Sequence, residues 1–418
     1  MNKSRLFVTS CISIGTAAMV FAIRGDVAGP MSAAFHITNE QMGLVFSPAF
    51  FAFTLAIVIS GNLVDVVGMR ALHALSALGF ITGVMLVILA PHQASPVISL
   101  FDNVGTTLLY AGFFLMGFSH GLVEGVINPL IATIYSTEKT KKIVACHAWW
   151  PAGLIIGGLL AVIMTKFFVT PWQVKLLLIA IPAAVYLMMA LSQKYPQSER
   201  ITSNVSTSEM WKETTKPVFL LLFVCMWMTA AVEMGPDQWF PRVMGALVPQ
   251  LSPQAGSGVL FLVYTAGLMF VIRMWGSAVS HKSPLGTLVA SSALAGAGLY
   301  WLGGLGTNTS AAVALTAATI FGIGKTFLWP TMIGVTAELF PRGGPLLLSL
   351  MGGAGMLSVG LVLPAMGAEM DKYGPGAALQ MVAALGAILT AIFGGLWLYF
   401  KVRGGYRVVR ISTATALE

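Results

Sequence analysis

GTTLLYAGFFLMGFSHGLVEGVINPLIATIY, residues 105 to 135, contains a single acidic side chain, Glu124. An α-helix rises 1.5 Å per residue, so about 20 apolar residues cross a hydrocarbon core of roughly 30 Å. This stretch is long enough and apolar enough to do so. The same pattern recurs along the chain, at 6–30, 42–66, 71–91, 105–135, 143–169, 174–192, 217–241, 257–280, 285–305, 310–340, 345–368 and 376–402. The runs are continuously apolar rather than alternating every second residue, which favours helices over a barrel. Composition agrees: 57% of the 418 residues are hydrophobic and 9% charged, where a soluble domain carries about a quarter charged residues.

The first apolar run follows Lys3 and Arg5 and passes through Arg24 and Asp26 with no small-residue cleavage site, so it reads as a membrane span and not a secretory signal. The formal charge of +8 is explained by topology and calls for no nucleic-acid partner. Sixteen of the 23 Lys and Arg lie at the two ends or in alternate loops, and four (Lys166, Lys175, Arg242, Lys372) on the opposite side. By the positive-inside rule both termini are then cytoplasmic, with anionic lipid as the neighbour of the basic loops. The expected location is the plasma membrane or a bacterial inner membrane. Cys11, Cys146 and Cys225 stand in predicted helices at unrelated spacings, which supports neither a disulfide framework nor a metal site.

Residues 193–216, QKYPQSERITSNVSTSEMWKETTK, form the longest polar stretch and divide the spans six and six. The expected organisation is a six-helix half over 1–192, a cytoplasmic linker over 193–216, a second half over 217–402 and a cytoplasmic tail over 403–418. The halves repeat weakly. With Gly117 placed on Gly322, His120 falls on Lys325, Glu124 on Trp329 and Tyr135 on Phe340; DVAGP ending at Pro30 is echoed by EMGP ending at Pro236. The fold class expected is an all-α membrane protein, twelve transmembrane helices in two pseudo-symmetric six-helix halves, expected to be a monomer, with a solute site between the halves near the midplane.

An ionisable side chain at mid-bilayer costs about 2.5–3.5 kcal/mol on insertion scales, so each such residue needs a partner, a wet cavity or a role. His120, Glu124 and Asn128 follow an i, i+4, i+8 spacing that places them on one helix face. Gly117, Gly121 and Gly125 make an adjacent small-residue row for close helix approach, and Pro129 is expected to loosen the helix. Glu124 is the first candidate to load and release a proton; a static interhelical bond is the alternative. Asp26 lies in FAIRGDVAGP, where Gly25, Gly29 and Pro30 predict a break; it serves function or neutralises Arg24.

In VEMGPDQWFPR, Glu233 and Gln238 can hydrogen-bond hydroxyls while Trp239 offers a face to a sugar ring. Trp239 and Arg242 read equally as interface anchors. Lys325, one turn before Trp329, needs an anion, for which Glu124, Asp26 and Glu233 are candidates; an ion pair and a substrate contact are both open. Arg273 is expected to snorkel to the interface, and Asp102, Glu338, Glu369 and Asp371 to be solvated at helix ends. No nucleophile, metal or phosphate-cradling constellation is present, and no cofactor or enzyme activity is expected.

GNLVDVVGMR, Gly61 to Arg70, resembles the loop signature of the major facilitator superfamily that follows the second helix. The resemblance implies a cytoplasmic gate of Asp65, Gly68 and Arg70; in the second half the matching GSAVSHKSPL has Ser280 in place of Asp65. DVAGP and VEGVINPLIATIY also resemble patterns of the fucose:proton symporter family and related sugar porters, and HAWWPAGLIIGG is similar to that family's sugar-facing helix. This implies proton-coupling and sugar-binding acids at Asp26 and Glu124, and sugar contacts at His147 and Trp150. Arg24 and Trp150 stand where amides are more usual, so the resemblance leaves the solute open. The leading expectation is a proton-coupled importer of a monosaccharide or similar polyhydroxylated solute. The alternatives are an organic-anion porter using Arg24, Lys325 and Arg273, efflux of lipophilic compounds, and a sensor that binds without transport.

Overall fold

A computed structural model describes residues 2–135, 142, 145–196, 207–248 and 257–407; within helices some side chains, those at 61, 62, 65 and 274–282 among them, are left undescribed. The first half consists of α1 (Lys3–Phe35), α2 (Asn39–Val66), α3 (Met69–Ile88), α4 (Val104–Ile134), α5 (Trp149–Phe168) and α6 (Trp172–Leu191). A short helix, Thr207–Glu213, lies in the polar linker. The second half has α7 (Pro217–Leu247), α8 (Ser257–Lys282), α9 (Pro284–Gly303), a divided α10, α11 (Gly344–Tyr373) and α12 (Pro375–Val402). The pieces of the tenth span are α10a (Ala311–Lys325) and α10b (Leu328–Leu339). Eleven of the spans are long and apolar enough to cross a membrane, and α8 contributes a shorter described apolar run, Gly258–Arg273. This is a multi-pass integral membrane protein.

Local chemistry explains where the helices start and stop. Thr38 and Gln41 form a reciprocal capping box at the head of α2. Gly68, at φ 87°, makes the tight turn into α3 that a side chain would strain. Three expectations about breaks are corrected. Helix α1 runs unbroken through Gly25, Gly29 and Pro30, and α4 runs through Pro129; neighbouring helices in a membrane can re-satisfy backbone groups that proline frees. The span expected to be continuous over 310–340 is the one that divides. Pro330 has no N–H to offer the carbonyl of Thr326 four residues earlier, and its ring crowds that carbonyl.

The halves meet along α2 with α11, α5 with α8 and α1 with α7. With an even number of spans both termini lie on one face, and the described hydrogen bonds between the halves are at the membrane centre or toward the other face. Ser47 Oγ donates to the Gly360 carbonyl at 2.5 Å and Thr54 Oγ1 to that of Gly353 at 2.8 Å. At the far rim the Asp371 carboxylate accepts from the Glu40 backbone N–H at 2.9 Å and from Asn39 Nδ2 at 2.6 Å, so it caps α2 from the opposite half. Asp371 was expected to be merely solvated, as was Glu338, which accepts from the Tyr406 hydroxyl at 2.7 Å. Both are engaged because helix ends from different parts of the chain meet at the rims.

The α2–α11 seam depends on small residues. A Cβ added at Gly43 would lie 2.6 Å from the Leu363 oxygen and the Pro364 Cα, which are backbone atoms unable to yield. Gly43→Leu is therefore expected to hold the far face open. The check is a cysteine introduced at Ser47, 3% exposed here: a membrane-impermeant maleimide should label it several-fold faster in the Gly43→Leu background.

Candidate functional site

Three of the four interior carboxylates are matched by a cation. Asp26 Oδ2 meets Lys175 Nζ of α6 at 2.5 Å, and the same ammonium donates to Thr165 Oγ1 at 2.6 Å. Asp26 thus has Lys175 and not Arg24 as its described partner, and Lys175, read from sequence as a rim cation, is buried beside it. In the second half Lys325 Nζ reaches both carboxylate oxygens of Asp237, at 2.6 and 2.8 Å. None of the acids considered for Lys325 from sequence is its partner. Asp237 was missed, though it stands one turn beyond Glu233 in VEMGPDQWFPR.

Glu233 and Arg273 pair at 3.2 Å and together hold the break in α10. Glu233 Oε2 accepts from the Trp329 backbone N–H at 2.9 Å, satisfying a free donor in the first turn of α10b. Arg273 Nε donates to the Thr326 carbonyl at 2.9 Å, supplying the bond that Pro330 cannot. Arg273 does not snorkel away, because this carbonyl and a carboxylate give it internal partners. Trp239 is fully buried and donates Nε1 to the Leu363 carbonyl at 3.3 Å, so it is neither an interface anchor nor exposed to a cavity. The Trp329 ring lies against Gly355 of α11.

Glu124 is the exception among the acids: among the described residues no lysine or arginine pairs with it. Asn128 Nδ2 donates to its Oε2 at 3.0 Å. His147 Nε2 stands 3.6 Å from Oε2 and His120 Nε2 3.9 Å from Oε1. His147 Nε2 also meets Asn128 Oδ1 at 2.9 Å. The stripe read from sequence is therefore one network, completed by a residue from the segment preceding α5. That placement follows from a turn at Ala148, where Pro151 leaves the His147 carbonyl without its helical donor. Trp150 stacks on His120 with centroids 5.1 Å apart and meets Phe21 of α1 edge-on at 4.9 Å. The side chains of Glu124 and His147 keep 14% and 36% of their exposure.

Toward the far face, Arg24 Nε donates to Gln238 Oε1 at 2.6 Å, joining α1 to α7 across the halves. The guanidinium lies over Phe21, Phe46 and Phe50, with centroid distances of 4.7, 5.2 and 4.8 Å. Arg24 and His120 both line a cavity of ≈ 10 Å³ that Met356 of α11 closes from the other half. A larger cavity, ≈ 250 Å³, lies among α7, α11 and α12 and has no ionisable side chain in its lining. Of the gate residues, the Asp65 side chain lies outside the described residues, as does that of Ser280. Arg70 donates to the Leu191 carbonyl, tying α3 to α6 within the first half.

The model of the Major Facilitator Superfamily matches residues 6–344, and the chain belongs to that superfamily. It is a transporter rather than an enzyme. A D-xylose-proton symporter superposes with TM-score 0.75 at 14% identity, over 93% of this chain and 96% of the other. The xylose transporter XylE from E. coli, in a partially occluded inward-open conformation, gives 0.75 at 12% identity, over 94% and 97%. The nucleoside transporter NupG gives 0.72 at 12% identity, over 95% and 99%. No curated protein matches the sequence at a significant level.

The buried pair in the second half makes a sharp prediction. Lys325→Met strands the Asp237 charge and is expected to destabilise the protein by about 3–5 kcal/mol, whereas Lys325→Met with Asp237→Leu removes both charges and should recover most of that loss. Thermal melts of the purified single and double variants provide the check.

Proposed function

We propose that this protein is a proton-coupled importer of a monosaccharide or similar polyhydroxylated solute, with Glu124 as the coupling acid. The observation that carries the reading is the difference among the interior carboxylates. Asp26, Glu233 and Asp237 each face a lysine or arginine within 3.2 Å, while among the described residues Glu124 faces two histidines and an amide. A carboxylate with no lysine or arginine beside it among the described residues, partly open and close to His120 and His147, suits repeated loading and release of a proton. Asp26, held by Lys175, fits a structural role better.

Asn128, His147 and Trp150 around Glu124 provide the hydrogen-bonding groups and the indole face that a hydroxylated ring requires. Glu233, Lys325 and Trp329 then act by positioning the divided α10. With cytoplasmic termini, which the distribution of cations implies, the seam made by Ser47 and Asp371 lies toward the extracellular side. Fold neighbours that include a D-xylose-proton symporter support this reading at the level of architecture.

The test uses full-length protein in proteoliposomes with a trapped pH dye and a panel of aldoses and their corresponding acids. Wild type is expected to move protons inward with its solute. Glu124→Gln should abolish proton movement and accumulation while leaving exchange of solute across the membrane. Concentrative, proton-driven uptake by Glu124→Gln would overturn the assignment.

A further inference from the structure

We propose that the solute carries a carboxylate, and that Arg24, Gln238 and His120 form the subsite that receives it. The inference rests on the transport reading above and narrows its substrate class to polyhydroxylated monocarboxylates such as sugar acids. Three buried nitrogens, Arg24 Nη2, Gln238 Nε2 and His120 Nε2, have no hydrogen-bond partner among the described residues. Arg24 connects them: its Nε donates to Gln238 Oε1 at 2.6 Å, and it lines one small cavity together with His120.

Charge points the same way. Lys175, Arg273 and Lys325 each hold a carboxylate. Arg24, 1% exposed, holds none among the described residues. The faces of Phe21, Phe46 and Phe50 attract the cation but cannot accept its in-plane N–H groups or neutralise it. A lone buried charge and unmet donors are both costly in a membrane interior. A carboxylate removes both costs, since it accepts only and fits the guanidinium fork with two parallel bonds. A neutral hydroxyl satisfies one donor and leaves the charge. Lys325, a candidate for the same task from sequence, is occupied by both oxygens of Asp237.

The position of the subsite links it to the proposed coupling acid. His120 stands between them, lining the cavity with Arg24 and lying 3.9 Å from Glu124 Oε1. An anion at Arg24 and a proton on the Glu124 network enter as a neutral pair, so each favours the binding of the other. The hydroxylated remainder of the solute then extends toward Asn128, His147 and Trp150. The cavity, ≈ 10 Å³, is about the space of one water; the described conformation is the contracted form of the subsite. Because the Arg24–Gln238 bond joins α1 to α7, a carboxylate placed on both residues acts on a contact between the two halves.

The test is a thermal shift on purified full-length protein at neutral pH with matched probes: galactose against galacturonate, glucose against glucuronate and gluconate. Sodium chloride at equal ionic strength is the control. At least one acid is expected to raise the melting temperature while its neutral partner and chloride do not. Arg24→Gln should weaken that acid's apparent affinity by roughly 10- to 100-fold, and Arg24→Lys should retain part of it. Gln238→Leu, which keeps the cation, is expected to weaken the acid more mildly. The wild-type comparison decides even where a variant does not fold. Equal stabilisation by the neutral sugar or by chloride, no response to any acid, or an undiminished response in Arg24→Gln would each overturn the subsite. Those outcomes leave the coupling role of Glu124 standing, and proton-driven uptake by Glu124→Gln would remove that role while leaving an acid preference through Arg24 intact.

Discussion

The cost of an ionised group in a hydrocarbon interior organises this molecule. Asp26 with Lys175, Asp237 with Lys325 and Glu233 with Arg273 are arrangements in which that cost is met within one half of the protein. Because each pair is internal to its half, both halves can move as bodies without separating opposite charges. Among the described residues, two interior charges have no countercharge: Glu124, near His120 and His147, and Arg24, which bonds Gln238 across the halves.

The same economy applies to the backbone. Pro330 deprives Thr326 of its helical partner, and the break it causes frees a carbonyl and an N–H in the middle of a membrane span. Arg273 takes the first and Glu233 the second. One ion pair thus stabilises a discontinuity that lipid would not tolerate. It also explains an asymmetry in the internal repeat. His120 and Lys325 occupy matching places, yet α4 continues past His120 while α10 breaks after Lys325.

The seam between α2 and α11 uses contacts of a different kind. Glycines let α2 and α11 approach at backbone distance, and hydroxyl and carboxylate groups then stitch the seam, with Asp371 on the head of α2 at the rim. Such contacts are individually modest, and none of those described between α2 and α11 pairs two ions. The ion pairs thus lie inside each half, while the bonds between α2 and α11 are made by hydroxyls, a rim carboxylate and backbone groups.

Sequence alone determined the class of fold, since the length and continuity of apolar runs leave a helix as the one way to bury the backbone in lipid, and a central polar stretch with a weak repeat divides twelve spans into two sets. It also determined the His120–Glu124–Asn128 face, because i, i+4 geometry is local. The break in α10 was not read from the sequence: a proline stands in α1, α4 and α10 alike, and only α10 divides. Only the tertiary structure decided which charges meet. Asp26 and Lys175 are 149 residues apart and Arg24 and Gln238 are 214 apart. Nothing in the chain between them fixes those distances, because the choice of partner is set by how helices remote in sequence pack side by side.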